Sequence, residues 1–186
     1  DDGASVAMAP GGLIHIQGGT MRLEYGVRTT WGTNKGDLTI DAGAALDLWD
    51  NNSSDGAYPN AGVFVDSLNG AGSITRTQDA VGTITVGVDN GDGNLSGAIS
   101  NAVGQTNFVK TGTGTQTLAG TSSYSGTTTV VAGVLVVNGD ISTSSLVTVM
   151  DGASLQGTGT VGSMVVDDAG HVAPGNSIGT LTVSGS

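Results

Sequence analysis

The sequence predicts an all-β parallel β-helix, a β-solenoid, on three observations. First, a short β-branched run meets a glycine and then a second apolar residue in three places: Val130-Val131-Ala132-Gly133-Val134-Leu135, Val149-Met150-Asp151-Gly152-Ala153-Ser154-Leu155 and Val166-Asp167-Asp168-Ala169-Gly170-His171-Val172. Their glycines stand 19 and then 18 residues apart, about one coil of a fold in which each turn buries its inward side chains only by stacking on its neighbours. Second, the apolar residues alternate in short runs, which is strand periodicity, and no stretch keeps helical spacing. Third, glycine supplies 33 of the 186 residues, charged residues 11 % and apolar residues 37 %. That composition suits a narrow β-branched column with glycine at its corners better than a bulky globular core.

In chain order, the runs Leu13-Ile14-His15-Ile16, Met21-Arg22-Leu23, Leu38-Thr39-Ile40, Leu46-Asp47-Leu48, Val63-Phe64-Val65, Ile74-Thr75, Ile84-Thr85-Val86, Val147-Thr148-Val149 and Leu181-Thr182-Val183 are expected as strands. A fourth copy of the glycine phrase, Ile40-Asp41-Ala42-Gly43-Ala44-Ala45-Leu46, carries the pattern into the N-terminal half. Pro10, Pro59 and Pro174 lie beside small or polar residues and suit corners. Residues 50–62 (DNNSSDGAYPNAG) read as a protruding polar loop, and residues 88–97 (VDNGDGNLSG) as a wide turn. Val130, Leu135, Val149, Leu155, Val166 and Val172 are expected to point into one continuous column. The whole reads as one body. Residues 1–104 form less regular coils with the loop near 50–62, and residues 105–186 form regular C-terminal coils.

Charge narrows the partners. Fifteen of the sixteen acidic residues are Asp and one is Glu24, which places acid at turns, where a carboxylate bonds nearby amides. With only Arg22, Arg28, Lys35, Arg76 and Lys110 as bases the net charge is −11, which repels phosphate backbones and anionic lipid, so nucleic acid and membrane insertion are not expected. Cysteine is absent, which excludes disulfide and thiolate chemistry and is compatible with export of an unfolded chain. The abrupt start at Asp1-Asp2-Gly3, with no signal peptide and no run of 18 apolar residues, reads as an excised fragment whose targeting information lies elsewhere.

Residues 108–139, FVKTGTGTQTLAGTSSYSGTTTVVAGVLVVNG, and 155–185, LQGTGTVGSMVVDDAGHVAPGNSIGTLTVSG, resemble the passenger-associated strand repeats of bacterial autotransporters, the type V secreted proteins. Residues 69–104 look similar to the stretch that often precedes that repeat, and residues 1–68 match in general style. The resemblance implies a right-handed parallel β-helix that serves as stalk or passenger and is exported across the outer membrane of a diderm bacterium. It also implies that the C-terminal coils fold first and act as an intramolecular chaperone.

Several motifs suggest chemistry, each beside a plainer reading. Gly175-Asn176-Ser177-Ile178-Gly179 satisfies the nucleophile-elbow pattern, but that serine needs a strand-to-helix turn and a histidine base. Here a strand follows, so Ser177 reads as a solenoid corner and His171 as an exposed or column-edge residue. Gly157-Thr158-Gly159-Thr160-Val161-Gly162 matches a dinucleotide fingerprint but lacks the helix N-terminus that would receive a pyrophosphate. Its glycines read as tight corners. Asp89, Asp92 and Asn94, and likewise Asp50 with Asp55, resemble parts of calcium loops without the closing bidentate glutamate. Trp31, Trp49 and Tyr58 offer flat faces for a glycan, or else cover the end of the helix or pack beneath the long loop. Asp47, Asp50, Asp55 and Asp66 are candidates for a polysaccharide-cleaving carboxylate pair, which requires two of them on one face.

The expectation is therefore a non-catalytic secreted or cell-surface passenger fragment, structural or adhesive, whose C-terminal coils nucleate folding during export. The rivals are a polysaccharide-binding or polysaccharide-degrading β-helix and a fibre-forming unit whose open ends stack coil on coil. No cofactor and no metal are expected. The expected partners are a host or matrix glycan or protein, and a second copy meeting the solenoid ends.

Overall fold

The computed structural model describes residues 9–23, 34–49, 62–175 and 179–185. These form a three-faced parallel β-helix, and no helix occurs among the described residues. The chain starts with β1 (Leu13–Ile16), β2 (Thr20–Arg22), β3 (Asp37–Ile40) and β4 (Ala45–Asp47). It continues with β5 (Val63–Val65), β6 (Leu68–Gly70), β7 (Ser73–Thr75), β8 (Val81–Val86), β9 (Gly93–Leu95), β10 (Gln105–Lys110) and β11 (Thr115–Leu118). The most regular coils hold β12 (Thr128–Val130), β13 (Val134–Val137), β14 (Asp140–Ile141), β15 (Val147–Val149), β16 (Ser154–Gly157) and β17 (Thr160–Val161). The last coil holds β18 (Met164–Val166), β19 (His171–Pro174) and β20 (Thr182–Val183).

One face is an unbroken eight-stranded sheet, β1-β3-β6-β9-β11-β13-β16-β19, and a second is the six-stranded sheet β18-β15-β12-β10-β8-β5. The third runs β2-β4-β7, continues through the single bridges Ile74 with Ile99 and Thr121 with Asp140, and ends in β14-β17-β20. At the usual strand spacing, eight strands make a column roughly 34 Å long. Its period is 24 residues from Leu13 to Asp37 and is shorter in the C-terminal coils than in the middle of the chain. Leu38 pairs with Leu68, 30 residues on, Thr115 with Val134, 19 on, and Ser154 with His171, 17 on.

Register places like residues above one another. Val63, Ile84, Phe108, Thr128, Val147 and Met164 form one inward column, and Val65, Val86, Lys110, Val130, Val149 and Val166 another. On the long sheet Ile14, Leu38 and Leu68 lead through Gly93 and Gln116 to Leu135, Leu155 and Val172. Val130, Leu135, Val149 and Leu155 are fully buried, as expected. Val172 is half-buried and Val166 is 38 % exposed, which corrects their assignment to a continuous interior. Both keep the column's register, but they stand in the last described coil, where β18 and β19 are each paired on one side only.

Three further expectations change. The stretch 88–97 is not simply a wide turn, because it contains β9, which carries the long sheet onward. Gly43 has the same left-handed turn conformation as Gly152 (φ 81° and 74°), and the amides of Ala44 and Ala153 bond back to Asp41 and Met150. However, Gly43 turns the chain from β3 to β4, whereas Gly133, Gly152 and Gly170 lie where the second sheet passes to the long one, so the fourth copy occupies a different corner. Pro174 ends strand β19 rather than sitting in a corner, and pairs with Gly157. The predicted loop lies almost wholly outside the described residues.

Candidate functional site

The stacked coils show what many of the aspartates and asparagines do. A side chain in one coil accepts a backbone N–H from the next coil along the chain. Asp37 accepts from Ser67 (3.1 Å), Asp66 from Asp89 (2.7 Å) and Gly91 (2.8 Å), and Asp92 from Thr115 (2.6 Å). Asn101 accepts from Ser125 (2.8 Å), Asn107 from Thr127 (2.9 Å) and Asp151 from Ala169 (3.0 Å). The expected local role fits Asp140, which accepts the amide of Ser142 at 2.7 Å and is held below the ordinary carboxylate range by that residue's hydroxyl and amide. Asn34 likewise accepts the amide of Gly36 at 3.1 Å, whereas the side chains above couple coils rather than close single turns. Each such bond contributes about 1 kcal/mol net when shielded from water.

Of the carboxylates considered for cleavage, Asp47 and Asp66 are occupied by this work. Asp47 is buried and accepts Arg22 Nε at 3.0 Å, the Thr77 hydroxyl at 2.7 Å and the Thr77 amide at 3.3 Å. It ends β4, whereas Asp66 lies between β5 and β6, so the two stand at different corners. Asp89 receives Lys35 Nζ at 2.9 Å, and the amide of Asn94 bonds to Asn69 Oδ1 at 3.0 Å. Asp89, Asp92 and Asn94 thus bond to three different neighbours. Among the described residues no group of three or more His, Cys, Asp or Glu could hold a metal. Trp49 is half-buried with the Arg22 guanidinium 4.9 Å from its ring centre. Trp31, Tyr58, Asp50, Asp55 and Ser177 lie outside the described residues. His171 is exposed in β19. In the Gly157 to Gly162 segment only Gly157 has a left-handed φ (119°). A Cβ on Gly159 or Gly162 would strike the carbonyl of Gly139 or Ser144 in the preceding coil, so close approach between coils explains those two glycines.

Sequence reasoning missed a set of polar residues inside the column. Lys110 holds a position that valines hold in the coils on either side, is fully buried, and donates to the carbonyls of Thr111 (2.5 Å), Gly112 (3.0 Å) and Ala132 (3.3 Å). Burial pulls its pKa below the ordinary lysine range, against the Asp92 and Asp66 carboxylates, which raise it. Tyr124 is also fully buried. Its hydroxyl meets Thr128 Oγ1 at 2.6 Å, Thr128 Oγ1 meets Ser144 Oγ at 2.9 Å, and Ser144 donates to Gly126 O at 3.0 Å. Burial pushes the phenol up to about 12. Laying Lys110 over Val130 and Val149 at the 19-to-20-residue period would have exposed the first of these substitutions.

Lys110, Tyr124 and Thr128 of this polar core lie in a segment that matches a known repeat. Residues 108–137 match the model of the passenger-associated-transport-repeat. The chain carries an autotransporter passenger repeat. It is 44 % identical over 80 residues to an extracellular serine protease of Serratia marcescens, an alignment that covers 43 % of this chain and 8 % of the relative. It is 38 % identical over 110 residues to the adhesin BmaC autotransporter of Brucella suis, covering 57 % of this chain and 3 % of that protein. The chain thus spans less than a tenth of the length of these curated relatives. No solved structure matches. The repeat region supplies Lys110 and Gln116 from one coil, Tyr124 from the corner that follows, and Thr128 from the next coil.

Proposed function

We propose that this chain is a non-catalytic stalk segment of a secreted or cell-surface passenger, structural or adhesive in role. One observation carries the reading: Asp47, Asp66 and Asp92 are committed to bonds between coils, which stiffens a spacer and leaves them poorly placed as the free acid and base that polysaccharide cleavage needs. Similarity to an adhesin supports an adhesive passenger, and the partner would be a host or matrix glycan or protein. Shortening of the coil period toward the C-terminus supports folding that begins there during export across the outer membrane, since shorter loops close at lower entropic cost. Esters, amides and polysaccharides should all be turned over at background rates by the chain. Hydrolysis that disappears in Ser177→Ala or His171→Ala would overturn the non-catalytic reading.

A second reading, self-association through coil ends, draws on the last described coil, where Val165 is 50 % and Val183 44 % exposed beside strands paired on one side. Light scattering that rises with concentration would favour it, and a constant monomer mass would reject it.

A further inference from the structure

We propose that Gln116 is the register key of the stack, locking the coil of β6 to the coil of β11 across the intervening coil of β9 so that the three open as one unit. Gln116 points inward from β11 and is buried in the column that otherwise holds Leu38, Leu68, Leu135 and Leu155. Its amide does not stop at the adjacent coil. Oε1 accepts the N–H of Leu68 at 3.2 Å and Nε2 donates to the carbonyl of the same residue at 2.9 Å, a partner 48 residues earlier in sequence and two coils away. The second Nε2 hydrogen goes to Thr117 O at 3.1 Å, so both donors of the amide are used and its oxygen accepts one bond.

Gly93 makes this reach possible. It is the residue between Leu68 and Gln116 in the column, and a Cβ there would strike Gln116 Oε1 and come within 2.8 Å of the Leu68 N and O. The pairing of β6 with β9 is confined to Gly70 with Leu95. Beside that gap the primary amide of Gln116 pairs with Leu68 as a backbone peptide group would, one acceptor and one donor toward one residue.

Selectivity follows from the pleat. Sliding β11 by one residue would turn Thr115 or Thr117 inward, and sliding it by two would bring Gly114 or Leu118 to this place. None of these offers an amide, and each leaves the Leu68 N–H and C=O buried without a partner, which is costly. A buried polar group that is satisfied in one register only is a known way to fix a register. Because the bond skips a coil, it also breaks the nearest-neighbour rule that lets a solenoid fray one turn at a time.

Hydrogen exchange on the full chain tests this. In the unmodified protein the Leu68 amide should open at the same denaturant concentration, and with the same slope, as the amides of β11. Gln116→Met matches the volume without the bonds and should speed Leu68 exchange by about tenfold or more, leaving β15 and β16 protected. Gln116→Glu adds a chemical readout. A protonated carboxyl keeps one acceptor and one donor, so protection factors at pH 4 should recover above those of Gln116→Met, while near neutral pH they should fall to or below them. Opening of Leu68 at lower denaturant than β11 in the unmodified chain would overturn the proposal. Unchanged Leu68 protection in Gln116→Met, or no low-pH recovery in Gln116→Glu, would also overturn it.

Discussion

Leu155→Asp should unfold the C-terminal coils at temperatures where the unmodified chain is fully folded. Leu155 is fully buried between Leu135 and Val172 in the long-sheet column. The substitution removes roughly 2 kcal/mol of apolar burial and places a carboxylate where no donor faces it, adding several kcal/mol or shifting its protonation. A loss of about 5 kcal/mol is comparable to the whole stability of many domains and would lower the melting temperature by roughly 10 to 20 °C in a chain of this size. Val165→Asp provides the control. Val165 is 50 % exposed, and an acid there should change stability by no more than about 1 kcal/mol. Circular dichroism melts of the two variants give the comparison, and equal melting temperatures would refute the column.

The second large effect is expected at alkaline pH. Burial of its phenol raises the Tyr124 pKa from the ordinary 10.0 to about 12. Above pH 10 the unfolded chain releases this proton while the folded chain keeps it, so the unfolded state binds fewer protons and stability falls as pH rises. The contribution is fully present below pH 10 and is lost by about pH 12, a decline of about 2 to 3 kcal/mol. Lys110 acts with the opposite sign. Its folded pKa is lowered, so stability rises with pH between that value and the ordinary one of 10.5. Tyr124→Phe removes the first effect and keeps the second. Urea midpoints between pH 9 and 11 should therefore fall more steeply in the unmodified protein than in Tyr124→Phe, and parallel curves would contradict the assignment.

Much of the fold was legible because strand alternation and a near-constant period are local properties of the sequence. The run from Val130 to Leu155 shows why: β-branched residues, a left-handed glycine and a second apolar residue fix strand, corner and strand in turn. Val88 to Gly97 was harder, since β9 is only Gly-Asn-Leu and its pairing with β11 supplies the strand character that its composition lacks. The site residues were the least legible. Asp47 and Asp66 look alike in sequence, and only the stack shows that each is committed to a neighbouring coil. In sequence Lys110 counts only as one of five bases, and Gln116 carries no signal of its own within a threonine- and glycine-rich repeat. Their burial depends on which residues lie in the coils above and below, and no local pattern carries that information.

The account rests on Asp and Asn side chains as couplers between coils, and hydrogen exchange of the amides they hold tests it most directly. Thr127 is an exposed residue whose N–H goes to Asn107 Oδ1, and Thr115 N–H goes to Asp92 Oδ1. Both amides should be protected to the level of the ladder amides in β10 and β12, and Asn107→Ala should release Thr127 alone. Exchange of Thr127 and Thr115 at free-solvent rates in the unmodified chain would contradict it.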